Sequence, residues 1–137
     1  MSPESGAKPV PAISAEMRPF YEGAQRGELL VQRCTACAAL RFPARAICSN
    51  CLATTADWVH VSGNGTIFSF NVMHQVYHPG FADEVPYAVV IVQLVEGVRM
   101  LSSLIDIAPA DIHIGMPVHV VFEEISDDVT LPKFAPD

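Results

Sequence analysis

Four cysteines within eighteen residues constrain this chain more than any other feature. They stand as Cys34-Thr-Ala-Cys37 and, after ten residues, Cys48-Ser-Asn-Cys51, and they are the only cysteines in the chain. A Cys-x-x-Cys pair turns a short knuckle that aims two thiolates at one point. Two knuckles make a closed tetrahedral set of four sulfurs, the usual arrangement of structural zinc. Iron in a four-thiolate site uses the same geometry, and ligand softness does not separate the two metals. A disulfide framework needs an oxidising compartment, which nothing in the sequence indicates. A redox dithiol needs one such pair beside a βαβ pattern, not two pairs in a short β-type segment. The expected cofactor is therefore one structural Zn2+, with iron as the alternative. A closed four-sulfur site keeps no open position, so it activates neither water nor substrate.

A chain of 137 residues, half of them apolar, makes one ordinary domain or one core with a small appendage. No stretch reaches the ~18 uncharged apolar residues of a membrane helix. Met1–Val10 has no apolar run of the kind a secretory signal carries. The expectation is a soluble, cytoplasmic protein with no membrane contact. The net charge of -7 is uneven: residues 1–51 carry six basic and four acidic groups, residues 52–137 two basic and eleven acidic. A strongly acidic C-terminal part is a poor match for nucleic acid, which wants a basic groove.

Residues 1–13 are rich in Pro and Ala and read as a flexible arm. Residues 14–28 read as an N-terminal helix, with Ser14 as a plausible cap and Gly27 as a stop. Pro19 is tolerated only in the first turn, which moves the regular helix toward Arg18. Residues 29–57 read as a metal ribbon: Leu29–Arg33 runs into the first knuckle, and Leu40–Arg45, broken by Pro43, returns from it. A hairpin this small has no core of its own and depends on the metal. Residues 58–137 carry β-type periodicity. Thr66–Val76 alternates, with Phe68, Phe70 and Val72 expected on one face and Ser69, Asn71 and Gln75 on the other. Tyr87–Val95, Val98–Asp106, Pro117–Glu124 and Thr130–Phe134 supply the remaining strands.

The fold class expected is mainly β: an N-terminal helix, a zinc ribbon and a five-stranded antiparallel barrel of OB-fold type. An open antiparallel sheet with the ribbon packed on one face is the competing architecture. Tyr87–Val95 is apolar on both faces, whereas a strand with one wet face should alternate. Either the helix or ribbon covers its outer side, or a partner protein does.

The order of parts resembles a known family. The matching residues begin with Phe20-Tyr21 and Gly27-Glu-Leu-Leu-Val-Gln-Arg-Cys34. They continue through Cys37, Phe42-Pro43, Arg45, Cys48, Cys51, Trp58 and Gly63-Asn-Gly65-Thr66. Tyr77-His-Pro-Gly-Phe81, Pro86-Tyr87, Glu96-Gly97, Gly115-Met-Pro-Val118 and Phe122 complete them. This pattern is similar to the proteins catalogued as domain of unknown function number thirty-five. Ala38 departs from it, because the family usually carries Gly after the second cysteine, where a positive φ is often needed. The resemblance implies a rubredoxin-like ribbon on an OB-fold, and an accessory subunit of thiolases or thiolase-like aldolases. Such a subunit braces the catalytic chain and helps hold the CoA thioester. It also implies a hetero-oligomer, expected with two copies of each chain.

Every cysteine has a use as a metal ligand, so no free nucleophile remains for thiolase-type chemistry. There is no Gly-x-Ser-x-Gly and no phosphate-cradling Gly-rich loop. No catalytic residue is expected. Given the resemblance, Arg33, Arg41 and Arg45 around the ribbon are candidates for CoA phosphates, since guanidinium matches phosphate bidentately. The structural alternative is charge balance for the metal–thiolate centre or pairing with Glu28 and Asp57. Phe42, Phe81 and Tyr87 are candidates for an acyl or pantetheine groove, against the commoner role of core aromatics. His78, in the His-Pro-Gly-Phe loop, is the histidine to test first. An OB-fold nucleic-acid binder and a stand-alone acyl-CoA module are the alternatives to the subunit reading.

Overall fold

The computed structural model describes residues 13–73 and 87–137. Ser14 does not cap the helix itself. Its hydroxyl and carbonyl oxygens both accept from the Met17 N–H at 3.2 Å, closing a turn that leads into α1, Arg18–Gln25. Pro19 sits in the first turn, where no donor is lost. The helix stops where the sequence places a glycine. Gly27 has φ +76, the Glu28 N–H donates to the Gly23 carbonyl at 2.8 Å, and the Gly27 N–H donates to that of Ala24 at 3.0 Å. These are the two bonds of a Schellman close. Phe20 and Ala24 point into the protein. Tyr21 meets the Phe20 ring edge-on at 5.2 Å, and Phe42 of the ribbon lies 4.9 Å away on the other side.

The ribbon sheet has three antiparallel strands in the order β2-β1-β3. These are β1 (Leu29–Cys34), β2 (Leu40–Arg41) and β3 (Ala56–Val61). The return strand shrinks to two residues because Pro43 has no N–H to extend the ladder. Strand β3 pairs with β1 over its whole length, from Leu29↔Val61 to Cys34↔Ala56. It therefore crosses the boundary that the sequence suggests at residues 57/58 and ties the ribbon to the rest of the chain.

Five further strands close a barrel: β4 (Asn64–Met73), β5 (Tyr87–Leu94), β6 (Arg99–Leu104), β7 (Pro117–Glu124) and β8 (Thr130–Pro136). Their order is β4-β5-β6-β8-β7, with β7 returning to β4. The barrel is not wholly antiparallel as expected, since β6 and β8 run parallel at Leu104↔Phe134. The reason is parity: directions cannot alternate around a ring with an odd number of strands, so one pair must run parallel. The Ile105 N–H donates to the Phe134 carbonyl at 2.8 Å across that seam, and the Ser102 hydroxyl donates to the Pro132 carbonyl at 2.9 Å. A short 3-10 turn, Pro109–Asp111, lies between β6 and β7.

A second correction lies in β4. Phe68 does not share the inner face with Phe70 and Val72. Ile67 faces Val92 and Ser69 faces Ile91, so Phe68 is an extra residue in the ladder, a β-bulge. The bulge sends Ile67 inward, 1% exposed, and turns Phe68 outward, 42% exposed. Phe70 remains packed against the core.

One hydrophobic cluster runs through all three parts. Phe20 of α1, Leu29 and Val31 of β1, and Val61 of β3 join Ile67, Val90, Val92, Leu94, Met100, Val118 and Phe134 of the barrel. The ribbon is thus seated on the barrel core. Two polar contacts fix the β3–β4 turn: the Ser62 N–H donates to the Glu96 carboxylate at 2.8 Å, and the Val120 N–H to the Gly63 carbonyl at 2.9 Å. Gly63 has φ +83, and a β-carbon there would lie 2.2 Å from Val120 Cγ1. Gly97 also has a positive φ, +100, but open space around it. Gly63→Ala should therefore cost about 3 kcal/mol, backbone strain plus overpacking, against about 1 kcal/mol for Gly97→Ala. Equal losses in denaturant unfolding of the two variants would contradict this packing.

Candidate metal centre

The two knuckles are near copies of each other. In the first, the Ala38 N–H donates to the Cys34 carbonyl and the Cys34 N–H to that of Ala39, each at 2.9 Å. In the second, Leu52 and Cys48, and Cys48 and Ala53, make the same two bonds at the same distance. Each loop turns back through a left-handed residue, Ala38 at φ 66 and Leu52 at φ 67. Neither is glycine, so each costs roughly 1–2 kcal/mol of backbone strain. The departure at Ala38 is therefore real strain, repeated at Leu52, and the converging sulfurs have to offset it.

The four sulfurs lie within 4.8 Å of one another. Cys34 Sγ is 3.5 Å from Cys51 Sγ, and Cys37 Sγ is 3.7 Å from Cys48 Sγ. A tetrahedron with Zn–S of about 2.3 Å has sulfurs about 3.8 Å apart, whereas a disulfide needs about 2.05 Å. The spacing is that of a four-thiolate cation site, and all four cysteines are free of disulfide bonds. Cys34 and Cys48 are buried and Cys51 lies at the exposed edge. Asn50 donates twice into the cluster at 3.4 Å, from its backbone N–H to Cys48 Sγ and from Nδ2 to Cys37 Sγ.

Those donors shape the acidity of the thiols. The backbone N–H groups of Cys37 and Ala36 hold Cys34 down to about 6 from its ordinary 9.0, against the opposing effect of burial. Cys48 is lowered in the same way by the N–H groups of Cys51 and Asn50. Cys51 receives the Ala53 N–H, which favours its thiolate. Its neighbour Cys34, burial, and then Cys37 and Cys48 outweigh that donor and carry it up to about 12. Without a cation the cluster therefore resists its last negative charges, which is what a dication would relieve.

The other residues singled out from the sequence divide. Arg41 is turned along the ribbon: Nε donates to Gln32 Oε1 at 2.8 Å and Nη2 to the Arg45 carbonyl at 2.8 Å. Its Nη1 is buried with no hydrogen-bond partner among the described residues. Gln32 Oε1 also accepts the Arg45 N–H at 2.9 Å, so Gln32 is the hub that holds the segment after β2. Arg33 lies opposite Asp57 in the β1–β3 ladder, and the side chains of Arg33 and Arg45 are exposed. Phe42 packs on Phe20 and, with Pro43, borders the barrel; Tyr87 opens β5, half-buried. His78 and Phe81 lie outside the described residues. Gln32 and Asn50 were missed from sequence. Gln32 carried a weak signal as a polar residue beside Arg33 and Cys34, and Asn50 a better one, lying inside a Cys-x-x-Cys.

The fold and this site define a class: a four-sulfur ribbon seated on an OB-type barrel. Residues 22–56 match the rubredoxin-like zinc ribbon domain of ChsH2, and residues 58–123 match its C-terminal OB-fold domain. The chain is 36% identical over 101 residues to a DUF35 domain-containing scaffold protein of Methanocaldococcus jannaschii, covering 73% of this chain and 71% of that protein. It belongs to the DUF35 family. It is also 40% identical over 129 residues to a protein of Thermomonospora curvata named "Probable enoyl-CoA hydratase alpha subunit", covering 94% of this chain and 40% of that one. The chain thus spans well under half the length of that relative. A solved structure described as "Ltp2-ChsH2(DUF35) aldolase" superposes with a TM-score of 0.84 at 40% identity, covering 93% of this chain and 98% of the other. No described helix is long and apolar enough to cross a membrane.

Protons and metal compete for the same sulfurs. A thiol whose pKa is depressed, as at Cys34, gives stability that is present above its unfolded value and lost as pH falls through the folded one. Bound metal depresses these values further. Metal should be retained fully at about pH 8 and at about pH 6, and shed only as the pH falls below the metal-free thiol value of about 6, whereas Cys34→Ser should fail to retain it even at about pH 8. Elemental analysis after gel filtration at each pH checks this, and stoichiometric metal in Cys34→Ser would contradict the site.

Proposed function

We propose that this chain is a non-catalytic, zinc-binding subunit of a thiolase-type acyl-CoA-processing complex. The observation that carries the reading is that all four cysteines converge in one closed cluster, in a chain whose relatives are named as subunits and scaffolds. A thiolase-type reaction needs a cysteine nucleophile with acid–base partners, and a metal-bound thiolate is not one. The catalytic groups then belong to a partner chain of thiolase fold, with a thiolase or a thiolase-like aldolase as the reaction class. The solved aldolase that this chain resembles is itself described by two component names.

In this reading the ion is zinc, one per chain, with a structural task. Bound there, it supplies no Lewis acid to substrate, because four sulfurs fill its coordination sphere. It locks the two knuckles, and through β1 and β3 it fixes the ribbon on the barrel. The chain's contribution to the reaction is to brace the catalytic subunit and help position the CoA thioester. Arg33 and Arg45, exposed on the ribbon, are the cations offered to CoA phosphates, and Phe42, His78, Phe81 and Tyr87 are the candidates for acyl contact. Arg41 fits that task less well, since its guanidinium is spent on Gln32 and the Arg45 carbonyl. Closed symmetry favours two copies of each chain.

The test is to identify the reading frames beside this chain and co-express it with any thiolase-fold protein among them. The two should co-elute, acyl-CoA turnover should require both, and the complex should hold one zinc per copy of this chain. Separate elution with turnover unchanged by this chain would overturn the proposal.

A further inference from the structure

The two knuckles share their backbone bonds but not the surroundings of their sulfurs. Cys34 and Cys48 are buried, Cys37 is half-buried and Cys51 is exposed. Each first cysteine accepts two backbone N–H groups: Cys34 those of Cys37 and Ala36, Cys48 those of Cys51 and Asn50. Cys37 accepts the Asn50 side chain, whose Nδ2 reaches over from the other knuckle at 3.4 Å. The repeat would place the matching donor for Cys51 at residue 36, but that residue is alanine, whose side chain carries none. Cys51 is left with the backbone N–H of Ala53.

Cys51 therefore stands apart in two independent ways. Solvent reaches it, and among the described residues no side-chain N–H draws charge from its sulfur. Four thiolates around one dication keep a net charge of about -2, so the sulfurs stay electron-rich in the filled site. Such a sulfur has no acid–base partner and turns over no substrate. It still reacts once with a small, strong electrophile wherever solvent gives access. Burial closes that approach at Cys34 and Cys48, and N–H donors make a ligand sulfur a poorer nucleophile. Asn50 extends this protection to Cys37.

A resolving sulfur is also in place. Cys34 Sγ lies 3.5 Å from Cys51 Sγ and belongs to the opposite knuckle. That is beyond an S–S bond of about 2.05 Å, but it puts the two in contact. Cys37 and Cys48 form a second pair across the knuckles at 3.7 Å.

We propose that Cys51 is the oxidation site of the cluster, with Cys34 as its resolving partner and Asn50 as the residue that shields Cys37. The oxidant is a peroxide. In the first step the Cys51 sulfur forms an S–O bond, the O–O bond breaks and hydroxide leaves, giving a sulfenic acid. In the second the Cys34 thiolate attacks the Cys51 sulfur, the S–S bond forms, the S–O bond breaks and a second hydroxide leaves. Two thiolates have then given up two electrons and the peroxide has taken them. Only Cys37 and Cys48 remain as ligands, and two sulfurs do not hold the cation in a closed site. The new bond joins the two knuckles, so reduction by a dithiol and resupply of metal rebuild the cluster. The proposal rests on the four-sulfur site alone and holds whatever chain this one assembles with.

The experiment treats the full, zinc-loaded chain with hydrogen peroxide. Metal release is followed with a chromogenic chelator, sulfenic acid is trapped with dimedone, and disulfides are located by mass spectrometry of unreduced peptides. The trapped acid should fall on Cys51 roughly tenfold more often than on Cys37. The first disulfide should be Cys34–Cys51, formed in step with zinc release, and dithiothreitol with added zinc should restore the metal content. In Asn50→Ala the preference for Cys51 over Cys37 should collapse. A first disulfide within either Cys-x-x-Cys, a trapped acid mainly on Cys37, or zinc lost with every cysteine still reduced overturns the proposal and leaves the metal site intact. Unchanged preference in Asn50→Ala overturns the shielding role. A chain that takes up no zinc before treatment overturns the metal site itself.

Discussion

Convergence of four sulfurs on one point is the constraint on which the rest depends. Neither knuckle buries a large apolar side chain of its own, since Ile47 and Leu52 are exposed, and each passes through a left-handed residue with a β-carbon, Ala38 or Leu52. That strain of roughly 1–2 kcal/mol per residue has no local compensation. Inward-pointing N–H groups favour thiolates at Cys34 and Cys48, while crowding resists one at Cys51. A dication removes the conflict and makes the two loops one rigid unit. The same closure commits all four cysteines of the chain to one cluster.

The clip acts at a distance through short covalent paths. Cys34 ends β1, whose Leu29 and Val31 enter the core. β3 pairs with β1 residue for residue and leads directly into the Gly63 turn and the barrel. On the other side, Gln32 holds Arg41 and the Arg45 backbone, which frames Phe42 and Pro43 against Phe20 and the barrel wall. Fixing the sulfurs therefore helps fix where Phe42 and Pro43 meet the barrel.

How much was legible in the sequence varied with the physics involved. The metal cluster was fully legible, because ligand type and spacing are local. The helix stop at Gly27 and the five barrel strands were legible for the same reason: turn chemistry and period-2 alternation are written over a few residues. Three features were not. The membership of β3 depends on which distant strand it meets. The parallel β6–β8 seam follows from ring closure, not from either strand's residues. The bulge at Phe68 breaks alternation with no glycine or proline to announce it, so Phe68 read as core. Arg41 read as a candidate ligand contact because sequence shows its charge but not that Gln32 lies opposite it.

One metal ion that locks the two knuckles is the central claim, with the shared hydrophobic cluster seating the ribbon strands on the barrel. Amide hydrogen exchange on the intact protein, with and without a strong chelator, measures this. Chelation should remove one zinc per chain and speed exchange across β1 and β3, while β4 to β8 keep their protection until global unfolding. Slow exchange in β1 and β3 after complete metal removal, or an intact ribbon in a protein that binds no metal, would contradict it.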